Sequence, residues 1–360
     1  MNPLVSVIMS VYNGEPYLKQ SIESILCQTF EDFEFIIIND GSTDNSWEII
    51  QVYAEKDSRI VPVTQKNIGL TKSLNKGLHR ANGEYIARQD ADDISFKDRL
   101  EKQIKYFKIN KEVDLVGSSI VIDGPYGKRI YYSPETLPMI RWKILFNNCF
   151  NHPTIMFKRE ILDREKLFYG KFNNSISDVS FLNGPAQDYL FIGQIAFKYK
   201  VGNIREPLVL FRKHNKSISN VKKRLQRQNA ILISKYFIES LIGKQITSKQ
   251  IDIYVHPNKM LSLSRNLHDG VVSDFQTIIR VFNNRYNNSN SWIIHRQNMH
   301  TIYYNYFYSS TIIRLLKAIK MLYCEQSFHS FKLCLVLIFK IDFKLNQSII
   351  NYLVSKKDKS

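Results

Sequence analysis

The chain has 360 residues, 44% of them apolar and 23% charged, a balance that excludes disorder and collagen-like repeats and supplies more than one core. Fifty Lys plus Arg against 33 Asp plus Glu leave a formal charge of +17, and residues 216–360 carry 22 of those cations but only seven acids. A near-neutral front is joined to a basic back, which points to a polyanionic partner: nucleic acid, anionic lipid or a phosphorylated substrate.

Over the first hundred residues, short β-branched runs alternate with helix-period stretches, the pattern of a parallel sheet covered by helices. The spacing predicts a strand over 4–11, a helix opened by Pro16 and running to about 26, and a strand over 33–39. Ile36, Ile37 and Ile38 in a row make that strand apolar on both faces, hence central. It ends in the turn Asp40-Gly41-Ser42-Thr43-Asp44, after which come a helix to about 54, a strand over 59–64, a helix over 70–81 and a strand over 84–89.

The fourth strand stops at Asp90-Ala91-Asp92-Asp93. Three carboxylates directly after a buried strand are hard to explain as packing, and open α/β sheets bind ligands beyond the carboxyl ends of their strands. The pattern then turns irregular: a helix over 95–110, strands over 114–122 and 128–132 around Gly124-Pro125, a helix over 134–146, a strand over 152–157, a helix over 186–198 and a strand over 208–211 leading to His214. From Lys222 the periodicity is helical, and 312–323 reads as a basic amphipathic helix with Leu315, Leu316 and Ile319 on one side and Arg314, Lys317 and Lys320 elsewhere.

Cys27, Cys149, Cys324 and Cys334 have no metal-ligand or redox spacing, so they read as reduced structural residues, which fits a cytoplasmic setting. No basic stretch precedes the first strand, which argues against a signal peptide. The longest apolar run, 333–339, falls short of the ~18 to 20 residues that span a bilayer. Neither a G-x-G-x-x-G nor a Walker glycine loop is present, so a phosphate needs another holder. A divalent cation clamped by carboxylates is one, and Asp90-Ala91-Asp92 supplies the pair.

The blocks 3–13 (PLVSVIMSVYN), 39–44 (NDGSTD), 67–70 (NIGL) and 83–93 (GEYIARQDADD), followed more thinly by Gly184-Pro185-Ala186-Gln187-Asp188-Tyr189 and by 207–214 (PLVLFRKH), resemble the family 2 inverting glycosyltransferases of GT-A fold, of bacterial surface-polysaccharide type. The likeness covers about the first three-fifths of the chain and fades after residue 220. It implies an α/β GT-A domain over 1–217, Rossmann-like with a mixed sheet, then a basic, mainly α-helical extension over 218–360 for membrane or subunit association.

Carried over position by position, the resemblance puts Val11 and Tyr12 in the nucleotide-base pocket, has Asp40 accept a hydrogen bond from the base, commonly uracil, and adds Gly69 to the nucleotide site. Lys72 and Arg88 become neighbours of the diphosphate. Asp90 faces ribose or metal, Asp92 ligates Mn²⁺ or Mg²⁺, and His214 reaches back to that metal. Asp188 is the catalytic base, while Asp93 and His152 lie toward sugar or acceptor. Gln187 stands where the family usually has Glu, so a charge that would raise the pKa of Asp188 is missing, and Gln89 replaces an apolar residue.

The polar stretch 167–184 is where an acceptor-binding loop is expected. The implied partners are a nucleotide-sugar donor, a glycan or lipid-linked glycan acceptor and, through the basic region, the anionic cytoplasmic face of a membrane, with no nucleic acid. Two alternatives stay open. A sugar-nucleotidyltransferase needs a Gly-, Arg- and Lys-rich loop after the first strand, where this chain has Tyr12-Asn13-Gly14-Glu15, and a non-catalytic sugar-nucleotide-binding protein has no need of Asp188.

Overall fold

A computed structural model of the chain describes residues 2–172, 184–214, 217, 221–255 and 265–286, with 265–273 described by their backbone only. Strands β1 (Val5–Val11), β2 (Phe33–Asp40), β3 (Ile60–Gln65) and β4 (Tyr85–Asp90) run parallel in the order β3-β2-β1-β4. Helices α1 (Glu15–Leu26), α2 (Ser46–Lys56) and α3 (Leu70–Arg80) connect them.

Strand alternation feeds two cores. Val5, Val7 and Met9 of β1 and Phe33, Phe35 and Ile37 of β2 pack against Leu18, Ile22 and Ile50 of α1 and α2. Ile8, Ile36 and Ile38 turn to the opposite face, onto Leu74 and Leu78 of α3. Burying each such side chain contributes about 1.5–3 kcal/mol, and a one-residue slip would turn both sets to the wrong side, so the register is strongly fixed. Pro62 is tolerated in β3 because that strand ends the sheet and has one unpaired edge.

Beyond β4 follow β5 (Ile94–Ser95), α4 (Arg99–Ile109), β6 (Val113–Gly124), β7 (Gly127–Tyr131), α5 (Leu137–Ile144), β8 (Met156–Lys158), α6 (Glu160–Glu165), α7 (Gln187–Lys198) and β9 (Lys200–Arg212). β8 pairs antiparallel with β4 and β6, and β6 runs parallel to β9, which makes the sheet mixed.

β5 and α6 were not expected, the helix expected over 95–110 begins only at Arg99, and two expected strands differ in extent. The strand expected over 152–157 is split: Pro153 sits in a 3₁₀ turn at His152–Thr154, and β8 begins only at Met156. β9 begins at Lys200 rather than 208, because Asn203, Arg205 and Glu206 hide the strand pattern and its register against β6 shifts on the way.

After residue 222 the described chain is helical, as expected: α8 (Lys223–Ile242), α9 (Ser248–Val255) and α10 (Arg265–Tyr286). Tyr189, Phe191 and Ile195 of α7 continue without a break into Ile233 and Phe237 of α8 and Phe275, Ile278 and Phe282 of α10. Cys27 and Cys149 are free, and among the described residues no helix is long and apolar enough to cross a membrane. Residues 173–183 of the expected acceptor loop, the amphipathic stretch 312–323, the run 333–339, Cys324 and Cys334 lie outside the described residues.

Candidate active site

Because β2, β1 and β4 are adjacent and parallel, Asp40, Val11 and Asp90 finish on one edge of the sheet. The chain winds out from β1 to β3 and returns as β4 on the other side of β1, leaving a crevice of the kind that holds nucleotides. Val11 is buried in its floor and Tyr12 is 55% exposed at its mouth. Asn13, in the left-handed region at φ 52°, knits the two loops together: its N–H donates to Ser42 Oγ (3.0 Å) and its Oδ1 accepts the Thr43 N–H (2.8 Å).

Asp40 is buried and orders the loop ahead of α3. Its Oδ1 accepts Gln65 Nε2 and the Ile68 N–H, and its Oδ2 accepts the Gly69 N–H, all at 2.9 Å. A carboxylate offers about four lone-pair directions, so Oδ2 retains one for a ligand. Gly41, at φ +73°, is required here, since a Cβ would stand 2.6 Å from the Asn67 nitrogen. Lys72 is exposed on the first turn of α3.

The acidic turn after β4 is held from beneath by Gln89. Its Nε2 donates to the carbonyls of Asp90 (3.1 Å) and Asp93 (3.0 Å), and its Oε1 accepts from Ser95 Oγ (2.7 Å) and Arg99 Nη1 (3.0 Å). An apolar residue cannot do this, which explains the departure seen in the sequence. Burial, helped by Arg88, pulls the Arg99 guanidinium down to about 9, while Asp90 and Asp93 oppose that shift. Gln89→Leu should therefore cost about 3 kcal/mol, from a buried cation and two carbonyls that lose a partner. Urea denaturation would check this, and an unchanged midpoint would refute it.

Each of the three acids has a different partner. Asp90 Oδ1 pairs at 2.5 Å with Nη2 of Arg88, a guanidinium that is only 2% exposed. Asp93 Oδ1 accepts the Arg212 N–H (2.9 Å), and Arg212 Nη1 donates to the Asp92 carbonyl (3.1 Å), fastening the turn to the end of β9. Asp92 Oδ2 meets His214 Nε2 at 2.9 Å. Burial pushes Asp90 and Asp93 above the usual carboxylate range. At Asp90, Arg88 opposes that rise while Asp92 and Asp188 add to it, so the charges of β4, of the turn and of α7 act within one site.

Among the described residues no three His, Cys, Asp or Glu side chains form a metal cluster. Mg²⁺ and Mn²⁺ are nonetheless commonly held by one or two protein groups, with substrate phosphates and water completing the shell. A carboxylate oxygen and an imidazole nitrogen already brought to one point fit that role, and Asp92 with His214 is that donor set.

Asp188 lies in the first turn of α7, where the backbone N–H groups of Tyr189 and of its own residue favour its charged form. Burial nonetheless dominates and raises its pKa, so desolvation does what the absent neighbouring Glu would have done. Asn148 Nδ2 donates to Asp188 Oδ2 at 2.8 Å, and the Phe150 N–H on Asn148 Oδ1 (3.0 Å) fixes which way that amide faces. No sequence signal marked Asn148.

His152 is pushed well below its ordinary value by burial and by Arg88, which makes it neutral, and its Nε2 lies 3.0 Å from the Tyr169 hydroxyl. The Tyr169 ring stacks on Phe191 of α7, and its backbone is clamped by Asn75 of α3 through bonds of 2.8 and 3.1 Å. Tyr169 and Asn75 were also illegible in the sequence.

The sequence profile of Glycosyl transferase family 2 matches residues 6–167. An uncharacterized glycosyltransferase of Methanocaldococcus jannaschii is 40% identical over 210 residues, 56% of this chain and 72% of that protein. The chain belongs to glycosyltransferase family 2. The O-antigen biosynthesis glycosyltransferase WbnJ of Escherichia coli is 34% identical over 220 residues, 59% of this family 2 chain and 81% of WbnJ.

Among solved structures, S. aureus TarS 1–349 in complex with UDP-GlcNAc superposes with a TM-score of 0.51 at 16% identity, covering 85% of this chain and 89% of that one. The mannosyltransferase PcManGT from Pyrobaculum calidifontis, in complex with GDP-Man and Mn²⁺, gives 0.50 at 16% identity, covering 91% and 89%. Both likenesses concern the fold, which is GT-A with a helical C-terminal region. Membership of family 2 removes the nucleotidyltransferase alternative.

Proposed function

We propose that this family 2 glycosyltransferase moves a sugar, with inversion, from a UDP-sugar to a hydroxyl of a glycan or lipid-linked glycan during surface-polysaccharide synthesis. One observation carries the chemistry: an Asp92–His214 pair and a helix-held carboxylate, Asp188, from separate parts of the domain sequence, converge around Asp90. Support for the donor comes from the UDP-GlcNAc complex of TarS, and support for the acceptor class from the O-antigen role in the name of WbnJ.

In this reading Tyr12 stacks on the base above Val11, the remaining lone pair of Asp40 accepts the base N–H, and Gly69 lets the loop approach the nucleotide. Asp92 and His214 would hold Mn²⁺ or Mg²⁺, which when bound neutralises charge on the departing diphosphate. Lys72 reaches toward that diphosphate, and Arg88 acts through Asp90, which faces ribose or metal. Asp188 accepts the acceptor proton as the new carbon–oxygen bond forms and the bond to the diphosphate oxygen breaks with its electron pair. Neutral His152 and the Asp93–Arg212 clasp border the sugar side.

The test is a panel of nucleotide sugars, with and without Mn²⁺, read as protection against thermal unfolding. At a hundredfold excess over its Kd a true donor adds about 2.7 kcal/mol. Metal-dependent protection by a UDP-sugar is the expected outcome, whereas protection by GDP-mannose alone would replace the donor, and protection by none would end the reading.

Residues 1–217 form the proposed catalytic domain, and the basic region 218–360 rests on an anionic cytoplasmic membrane face, where each cation contributes about 1 kcal/mol. Flotation with anionic but not neutral vesicles, weakening with salt, is the expected behaviour. Equal flotation on both would discard it.

A further inference from the structure

Two segments make the setting of Asp188: the start of α7, and the stretch after α5 that delivers Asn148. Helix α8 bonds to both. Asn229 Nδ2 donates to the Pro185 carbonyl at 2.8 Å, and Ser234 Oγ donates to the Leu145 carbonyl at 2.6 Å, each in a buried position.

The first bond acts on a strained backbone. Between Pro185 and Asp188 stands Ala186 at φ +74°, which costs about 1–2 kcal/mol for a residue with a Cβ and persists only where the surroundings impose it. Gly184, at φ +110°, lies against Leu225 and Asn229 of the same helix, so α8 packs on the turn from which α7 leaves. On the other side, the Leu145 carbonyl closes α5 three residues ahead of Asn148, with a second bond from the Tyr189 hydroxyl to the Ile144 carbonyl (2.7 Å). α7 and α8 meet where Gly193 admits the Phe237 ring: a Cβ there would stand 2.2 Å from its Cζ.

We infer that Asn229 and Ser234 are positioning residues for the catalytic base, holding the two carbonyls whose placement brings Asn148 to Asp188, so that α8 belongs to the catalytic unit although it follows residue 217. This rests on the reading of Asp188 as the base. Neither residue touches the reacting atoms. Together they fix the geometry from which Asp188 takes a proton, and a reacting group misplaced by about 1 Å loses on the order of 10²-fold in rate.

The test uses the full chain and the probe, UDP-GlcNAc or GDP-mannose, that protects it from unfolding, and follows hydrolysis of that donor at saturation with water as acceptor. Calorimetry gives affinity for the corresponding free nucleotide. The double variant Asn229→Leu/Ser234→Ala is expected to hydrolyse about 10- to 100-fold more slowly with nucleotide affinity unchanged within about twofold.

Asn229→Gln and Ser234→Thr, which keep the donor groups, are expected to retain most of the rate. A wild-type rate in the double variant, a nucleotide affinity that falls in step with the rate, or conservative variants that lose as much would each overturn the role of α8. Asp188→Asn is run alongside. If it hydrolyses normally, the base reading fails and takes this inference with it; if it collapses while the double variant does not, the role of α8 alone is wrong.

Discussion

Asp188→Asn is expected to slow sugar transfer by about 10²- to 10⁴-fold, the usual worth of a general base, while nucleotide affinity stays near wild type. Asn keeps the shape of the side chain and its place in the first turn of α7, but it cannot accept the acceptor proton. The leaving diphosphate needs no protonation, so no second carboxylic acid compensates. Loss of rate with retained binding separates a proton acceptor from a structural acid, whose removal would lower both together.

The pH profile sharpens the same claim. Burial holds the Asp188 carboxyl above its ordinary value, so the active ionised form is complete above that raised pKa and is lost as pH falls through it. The Asn148 amide opposes burial by donating to the ionised form. Asn148→Ala should therefore raise the pKa further and move the acid limb of kcat/KM to higher pH. A limb that stays in place, or moves to lower pH, would show that Asp188 is not the titrating group.

Much of the front half was legible because its signals are local. Three Ile in a row at 36–38 specify a strand buried on both faces, and carboxylates at 40 and 90–93 stand where a parallel strand ends. The blocks that mark the family lie in those same turns, so the fold and the position of the candidate site were readable together.

What stayed hidden depends on chain segments that meet only in the folded protein. Asn148 reaches Asp188 across 40 residues, Arg212 reaches Asp92 across 120, and Ser234 reaches Leu145 across 89. An isolated Asn, Arg or Ser carries no period and no spacing rule. Gln89 is the instructive middle case: the sequence marked it as unusual, and only the contacts of Arg99 and the acidic turn gave the reason. Only the last part of β9 is visible in the sequence, because its polar first half pairs through shifted registers, which breaks the two-residue alternation that reveals a strand.

Asp92→Asn is the second large effect expected. Asp92 is the one acid of its turn whose carboxylate meets an imidazole, since Asp90 pairs with Arg88 and Asp93 accepts from the backbone of Arg212. Removing its charge takes the anionic oxygen from the proposed metal site, and the His214 imidazole is too weak a substitute to hold Mg²⁺ or Mn²⁺ against water. Lewis-acid stabilisation of a leaving diphosphate is worth several kcal/mol, so the rate should fall by about 10²- to 10³-fold at 1.36 kcal/mol per factor of ten.

Protection by Mn²⁺ and donor together should disappear in the same variant. His214→Ala should fall less far, because the carboxylate and the diphosphate oxygens remain. A chelator supplies the internal control: it should bring the wild-type enzyme down to the residual rate of Asp92→Asn and leave that variant unaffected. If Asp92→Asn kept both its rate and its response to Mn²⁺, the Asp92–His214 contact would be an ordinary hydrogen bond between the segment after β9 and the turn, and charge on the diphosphate would have to be met by cations of the chain itself, with Lys72 the first to replace.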